Sequence, residues 1–239
     1  MSSLREVWDA QAESWARFAR TPGHDLAHER INFPAFLELL PRAGRATLDL
    51  GCGEGRVGAE LVARGHRVVG VDSSPRMAEL ARERHEAIVA DAAALPFEDG
   101  AFDLVVAYMS LMNMDDLAGA VHEAGRVLER GGRVCAAVLH PLFAAGGWED
   151  PNAADSAFVI AGSYFEGPTK VWESDRDGIR MVFHDRPAPL AAYTRALEDA
   201  GLLLERLREV SPAETVADAP PAERLRRIPL FLHLRAVKP

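Results

Sequence analysis

The sequence predicts an α/β protein: a doubly wound, mostly parallel seven-stranded sheet with an antiparallel edge strand, N-terminal helices and one long insertion. Three observations predict it. Short, near-continuous Val/Leu runs alternate with helical stretches between residues 46 and 139, as strands do when crossover helices cover both faces of a sheet. A glycine-rich turn follows the first of these runs, and an acid stands at the end of each of the first three. Finally, 239 residues that are 48% hydrophobic are ample for one core.

The elements follow in order. Leu4, Val7, Trp8, Trp15 and Phe18 recur at mostly three-, four- and seven-residue intervals, one stripe of an amphipathic helix that Thr21-Pro22-Gly23 stops. A second helical stretch runs from about Arg30 to Leu40 and ends at Pro41. Ala46 to Leu50 reads as the first strand, and a helix from about Arg56 to Arg64 follows it. His66 to Val71 is the second strand. Ser73-Ser74-Pro75 starts a helix with proline in its first turn, predicted to run to about Glu86. Ala87 to Ala90, Phe102 to Tyr108 and Arg133 to Leu139 complete the parallel set, with a helix from Leu117 to Glu129 between the last two. Right-handed crossovers make such an array doubly wound. The pattern breaks at Pro141 and returns with a helix from Leu190 to Ala200. Leu202 to Val210 and Leu230 to Val237 are the last strands, separated by a stretch that holds Pro220-Pro221 and Pro229. The expected organisation is a single domain: 1–41 a helical cap, 42–140 a cofactor-binding core, 141–186 a substrate lid, 187–239 the last helix and edge strands.

Charge narrows the function. The formal net charge is −9, which disfavours a nucleic-acid partner because such a surface repels phosphate. Only Lys170 and Lys238 are lysines among 27 basic residues, and no dense basic run exists. No apolar run approaches the ~20 residues that span a bilayer. Arg5, Glu6, Asp9 and Glu13 break up the first twenty residues, so they are not read as a signal peptide. Cys52 and Cys135 make no disulfide framework and no zinc-site spacing. The expectation is a cytoplasmic protein with a small-molecule substrate, monomeric or homodimeric, and no metal.

The informative segment is Asp49-Leu50-Gly51-Cys52-Gly53-Glu54-Gly55. Glycines here let the backbone turn sharply and approach a ligand closely, and the helix that follows offers free amides to an anionic group. Asp72 lies 23 positions after Asp49 and Asp91 a further 19. In a doubly wound sheet the carboxyl ends of neighbouring strands line one crevice, where an acid can accept both hydroxyl hydrogens of a ribose. Gly53-Glu54-Gly55-Arg56-Val57-Gly58 also matches the Gly-x-Gly-x-x-Gly of dinucleotide enzymes, and the 19-residue step from Gly53 to Asp72 suits it. Spacing leaves both readings open.

The run of motifs resembles class I S-adenosylmethionine-dependent methyltransferases, most closely the small-molecule "methyltransferase type 11" group, over about residues 46 to 140. Asp49 to Gly55 looks like the first motif of that family and Val71-Asp72 like its second. Asp91-Ala92 with Leu95-Pro96-Phe97 looks like its third. Phe102-Asp103-Leu104-Val105 and Val127-Leu128 through Gly131-Gly132-Arg133 are similar to the next two blocks. The resemblance implies a Rossmann-like fold and S-adenosyl-L-methionine as cofactor, with S-adenosyl-L-homocysteine as product. It further implies that Asp49 and the backbone of Gly51, Cys52 and Gly53 hold the methionine part. Asp72, followed by Ser73, would bind the ribose, Asp91 and Ala92 would meet the adenine edge, and Met77 would pack on its face. Cys52 reads as a small packing residue, not a nucleophile.

The substrate belongs where the methyl group points, at the carboxyl edge of the fourth strand. Tyr108, Met109 and Asn113 are candidate contacts there, with Ser110 as a second hydrogen-bonding group and Met112 and Met114 as adaptable apolar lining. His140 and His184 are candidate general bases, while His66, His85 and His122 read as solvated. Tyr164, Phe165 and Trp172 are expected to wall the pocket from the insertion, because long loops in compact domains tend to be functional. Trp8, Trp15 and the Gly23-His24-Asp25 turn would close the other side, and Arg30 offers a guanidinium for the cofactor carboxylate. The implied reaction is methyl transfer to an oxygen or nitrogen of a small molecule, a secondary metabolite or its precursor. The alternatives are a non-catalytic S-adenosylmethionine-binding regulator and a nicotinamide oxidoreductase. The latter lacks a Tyr-x-x-x-Lys pair, since Tyr164 and Lys170 are six apart.

Overall fold

The structure, a computed structural model, describes residues 3–166, 170–186, 188–212 and 225–239. The Pro220-Pro221 stretch lies outside them. Ser3 caps α1 (Leu4–Arg20): its hydroxyl accepts from the Glu6 amide, and the Glu6 carboxylate accepts from the Ser3 amide. A π-helical turn, His28–Asn32, leads into α2 (Phe33–Leu37). The sequence pattern predicts a single helix from about Arg30, but the first part is wound wider and starts earlier. Such π turns often sit at functional positions.

The central run is β1 (Thr47–Leu50), α3 (Arg56–Ala63), β2 (Val68–Asp72), α4 (Pro75–Ala81), β3 (Glu86–Val89), β4 (Phe102–Tyr108), α5 (Leu117–Val127) and β5 (Leu128–Leu139). α4 ends five residues short of the expected Glu86. Arg82 Nε donates to Ala87 O at 2.8 Å, and the chain turns through His85 so that Glu86 already pairs with Val69. The segment without periodicity holds α6 (Pro141–Ala145) and two hairpins, β6 (Gly147–Trp148) with β7 (Phe158–Val159) and β8 (Lys170–Arg176) with β9 (Ile179–Asp185). α7 (Leu190–Asp199), β10 (Leu203–Val210) and β11 (Phe231–Val237) complete the chain.

The main sheet has seven strands in the order β10-β11-β5-β4-β1-β2-β3. β1 pairs in parallel with β2 and β4, and β2–β3 and β4–β5 are parallel. β11 runs antiparallel to both of its neighbours and sits between β5 and the edge strand β10. Side chains alternate across the sheet. Val105 and Ala107 join Val121, Ala124 and Leu197 on the α5–α7 face, whereas Leu104, Val106 and Tyr108 join Phe36, Val57 and Leu61 on the other. That alternation carries Tyr108 to the face beneath the N-terminal segment. Among the described residues no helix is long and apolar enough to cross a membrane.

Candidate functional site

β1 has β2 on one side and β4 on the other, so the chain reverses its winding at β1, where a crevice opens outside the strand ends. A cavity of about 840 Å³ lies there. The turn after β1 builds its floor. Gly51, Gly53 and Gly55 have φ of 74°, 54° and 86°, a region that side chains disfavour. The amides of Gly51 and Cys52 both donate to Val71 O, at 2.8 and 2.9 Å, which locks the turn to β2. A Cβ on Gly51 would come within 2.5 Å of Ser110 Cβ, and Ser110 is fixed by its hydroxyl donating to Leu50 O at 2.6 Å. Gly51→Ala is therefore expected to cost roughly 1–3 kcal/mol through the strained φ alone, measured as a lower urea midpoint with an unchanged m-value.

Asp49, Asp72 and Asp91 all line the cavity, together with Gly51, Cys52, Gly53, Ser73, Met77 and Ala92. Asp49 is 2% exposed and its Oδ2 has no hydrogen-bond partner. Burial, then the charges of Glu54 and Asp72, push its carboxyl up from 3.8 to about 7. The Asp72 carboxylate accepts from the Gly53 amide and from the Ser74 amide, both at 2.9 Å. Burial raises its pKa against the lowering effect of those two bonds. Asp91 is exposed and caps its own turn by accepting from the Ala93 amide at 2.9 Å. Cys52 and Cys135 are free, buried thiols. Burial pushes Cys52 well up and Cys135 to about 12. Among the described residues no group of three His, Cys, Asp or Glu side chains is arranged to hold a metal.

The N-terminal segment and the β8–β9 hairpin cover the opening. Trp15 Nε1 donates to Glu54 Oε2 at 2.7 Å, and the Arg56 guanidinium lies 5.0 Å over the Trp15 ring. Arg56 also pairs with Asp25 at 2.9 Å, while its buried Nη1 has no hydrogen-bond partner. Trp172 and Phe183 stack with centroids 4.0 Å apart, and Phe183 meets Trp15 edge-on at 6.2 Å. His24 Nε2 lies 3.0 Å from Asp177 in the β8–β9 turn. Glu54 is 2% exposed, so Trp15→Phe leaves a buried carboxylate short of a donor. The expected cost is about 2 kcal/mol, seen as a fall in Tm of roughly 4–8 °C.

The other end is apolar. Met109, Met112, Met114, Leu139, Phe143, Leu225, Leu230 and Phe231 line it, with Tyr108, Ser110 and Asn113 as polar groups. Met109 takes the left-handed conformation, φ 55°, and its amide donates to Ala137 O at 2.7 Å. Asn113 Nδ2 donates to Met109 O at 3.3 Å, and its buried Oδ1 is unpartnered.

Several expected residues lie elsewhere. His140 does not line the cavity: its Nδ1 accepts from the Leu142 amide to cap α6, and Nε2 lies 3.0 Å from Glu209. His184 is also outside the lining. Successive residues of β9 face opposite ways, and Met181 and Phe183 take the face that packs on Phe18 and Trp15. Tyr164 leaves the cavity because its hydroxyl accepts from the Leu190 amide at 3.0 Å, and Phe165 is 70% exposed. Arg30 is exposed and outside the lining, whereas Arg56, directly after the glycine turn, is in it. Two of the histidines read as solvated are not. His66 is 6% exposed and hydrogen-bonded to Thr47 Oγ1 at 3.0 Å. His85 packs where a Gly58 Cβ would stand. Arg56, Glu54 and His28 were missed as site residues. For Glu54 the signal is its place within the glycine turn and for Arg56 its place directly after it, at the start of α3; for His28 the sequence holds none.

Residues 48–136 match a family model described as a methyltransferase domain. Over 130 aligned residues the chain is 38% identical to a demethylmenaquinone methyltransferase of Thermus thermophilus, covering 47% of this chain and 59% of that protein. It is 34% identical over 140 residues to an O-methyltransferase of Pyrenophora dematioidea, covering 54% of this chain and 51% of that one. The chain thus spans between half and three fifths of the length of these two curated relatives. A solved S-adenosylmethionine-dependent methyltransferase from Mesorhizobium loti superposes with a TM-score of 0.68 at 25% identity, over 86% of this chain and 96% of that one.

Proposed function

The chain carries a class I S-adenosylmethionine-dependent methyltransferase domain on its central sheet, with S-adenosyl-L-methionine as cofactor, and from this we propose that it methylates an oxygen or nitrogen of an apolar small molecule. One observation carries the reading: a single cavity joins the glycine turn and three strand-end acids to a methionine- and leucine-rich end. Its volume is in the range of small-molecule sites, ~300–1,000 Å³. The polar end also has the charges such a group needs. Asp49 Oδ2 and Arg56 Nη1 are buried and unpartnered, one acceptor and one donor for the ammonium and carboxylate of a methionine. The amides at Gly51, Cys52 and Gly53 frame that end. Asp72 would take the ribose hydroxyls, Asp91 and Ala92 the adenine edge, and Met77 its face.

The bound cofactor supplies a methyl group already activated on a sulfonium, so the residues mainly position and enclose. Segment 141–186 would act as the substrate lid: Trp172 and Phe183, with Trp15 from α1, exclude water above the opening. A secondary metabolite or its precursor suits the apolar lining, and the demethylmenaquinone methyltransferase relative points to apolar acceptors as a class. The net charge of −9 favours a small molecule over a nucleic acid as the acceptor, and a cytoplasmic location belongs to the same reading.

Calorimetric titration of the wild type with S-adenosylhomocysteine and, separately, with NAD tests the cofactor assignment. Micromolar binding of the first and none of the second is expected; the reverse would overturn it. Methyl transfer is read with labelled cofactor against a panel of phenols, alcohols and amines. Cofactor binding without transfer to any of them would favour a regulatory protein instead.

A further inference from the structure

His28 lies on the π-helical turn before α2 and lines the cavity. Its Nδ1 is 3.0 Å from Tyr108 Oη, and its ring is stacked 4.8 Å from Phe33. Nε2 has no hydrogen-bond partner among the described residues. Tyr108 closes β4 two positions beyond Val106, which pairs with Asp49 across the β1–β4 ladder. The pair therefore stands beside the glycine turn at the apolar, β4 side of the crevice. Tyr108 is 6% exposed, and burial pushes its phenol well up, so it stays neutral and fixed between Phe33 and Phe36.

Three groups face His28: Tyr108 from β4, Arg56 from α3 and Asp25 from its own turn. The Asp25 carboxylate accepts the His28 amide at 3.1 Å as well as pairing with Arg56. Burial and then Arg56 hold the imidazole down at about 4, against the opposing pull of Asp25. The ring is thus an uncharged hydrogen-bonding group across the physiological range. Carboxylates near this end are committed elsewhere. Asp25 is held by Arg56, Asp116 accepts the Gly119 amide at 2.8 Å, and Asp115 lies 3.7 Å from Arg186. Among the described residues the buried carboxylate oxygens of the cavity lining without a hydrogen-bond partner, Asp49 Oδ2 and Glu54 Oε1, belong to the glycine turn; at the apolar end a neutral lone pair would receive a hydroxyl.

We propose that His28 is a catalytic residue that takes the proton of a phenol-type hydroxyl on the acceptor, with Tyr108 as the positioning residue that holds its ring in place. In the tautomer whose Nδ1–H donates to Tyr108 Oη, the one this role requires, Nε2 keeps its lone pair for that proton. The acceptor oxygen bonds to the methyl carbon as the carbon–sulfur bond breaks, and that electron pair stays on sulfur. The hydroxyl proton passes to Nε2 and on to water, leaving a methyl ether and S-adenosylhomocysteine. This rests on the proposed methyl transfer and adds the acceptor class and the base. General bases contribute roughly 10²–10⁴-fold; a weakly basic imidazole belongs at the low end.

The test compares wild type, His28→Asn, His28→Gln and Tyr108→Phe with two phenols: 2-naphthol, which must lose its proton in the reaction, and 4-nitrophenol, which ionises unaided near neutrality. Both His28 variants are expected to methylate 2-naphthol about 100-fold more slowly in kcat. They should remain within threefold of wild type on 4-nitrophenol and bind S-adenosylhomocysteine unchanged. Tyr108→Phe should give a smaller, kcat-borne loss on 2-naphthol alone. Equal losses on both phenols, or no loss on either, would overturn the role of His28. Wild-type binding of S-adenosylhomocysteine without methylation of either phenol would overturn the hydroxyl assignment. Failure to bind S-adenosylhomocysteine at all would instead remove the methyl-transfer reading beneath it.

Discussion

Asp72→Ala is expected to lower affinity for S-adenosylhomocysteine by about 100-fold. The carboxylate is held between the Gly53 and Ser74 amides at 2.9 Å each, so it faces the cavity in one orientation. Two hydroxyl hydrogen bonds to a charged group contribute about 1.5 kcal/mol each or more, and ~3 kcal/mol is ~100-fold. Asp72→Asn keeps one acceptor oxygen for a hydroxyl and is expected to lose about tenfold. The Gly53 and Ser74 amides lose their acceptor in the alanine variant, so circular dichroism and the urea midpoint are measured alongside the titration. Full binding by a folded Asp72→Ala protein would refute the ribose assignment.

Asp49→Asn should move stability and affinity in opposite directions. The folded protein holds the Asp49 proton up to about pH 7, whereas the unfolded chain releases it near 3.8. Between those values the folded state binds more protons, so this group's contribution to stability falls as pH rises and the loss is complete above about 7. Asparagine has no charge to bury. At pH 8 the variant is expected to be more stable by roughly 2–4 kcal/mol, with Tm higher by at least ~5 °C, while at pH 4 the two proteins should match. Affinity for S-adenosylhomocysteine at pH 8 should fall about tenfold, because the ammonium loses its counter-charge. A difference in Tm that does not grow with pH would show that burial is not what holds the proton.

The parallel core could be read from sequence because Leu48, Val71, Val105 and Val138 are buried on strands covered from both sides. Such strands leave unbroken apolar runs. The glycine turn was readable for a local reason: three positive-φ glycines in five residues are a conformational demand that few other residues meet. The end of α4 was not, since Ala81 to His85 is good helical sequence, and the Arg82–Ala87 bond and the packing of His85 that accompany its end are contacts with residues beyond it. The histidines failed for a related reason. His140 stands at a strand end beside the crevice, yet Pro141 starts a helix there and the imidazole becomes its cap. His28 depends on a partner 80 residues away, and no local pattern records that. His184 and Phe183 are neighbours whose fates differ by one step of β-hairpin register, which turn residues alone did not set.

The two thiols have a practical consequence. Cys52 is 5% exposed and Cys135 fully buried, and the thiolate that reacts with alkylating reagents is suppressed in both. Both thiols are therefore expected to react slowly with maleimide at neutral pH, which mass spectrometry of the treated wild type checks. Phe165→Cys, on the exposed part of segment 141–186, would place one fluorophore on that segment without any prior cysteine removal. Its emission on adding S-adenosylhomocysteine would report whether that segment shifts as the crevice fills.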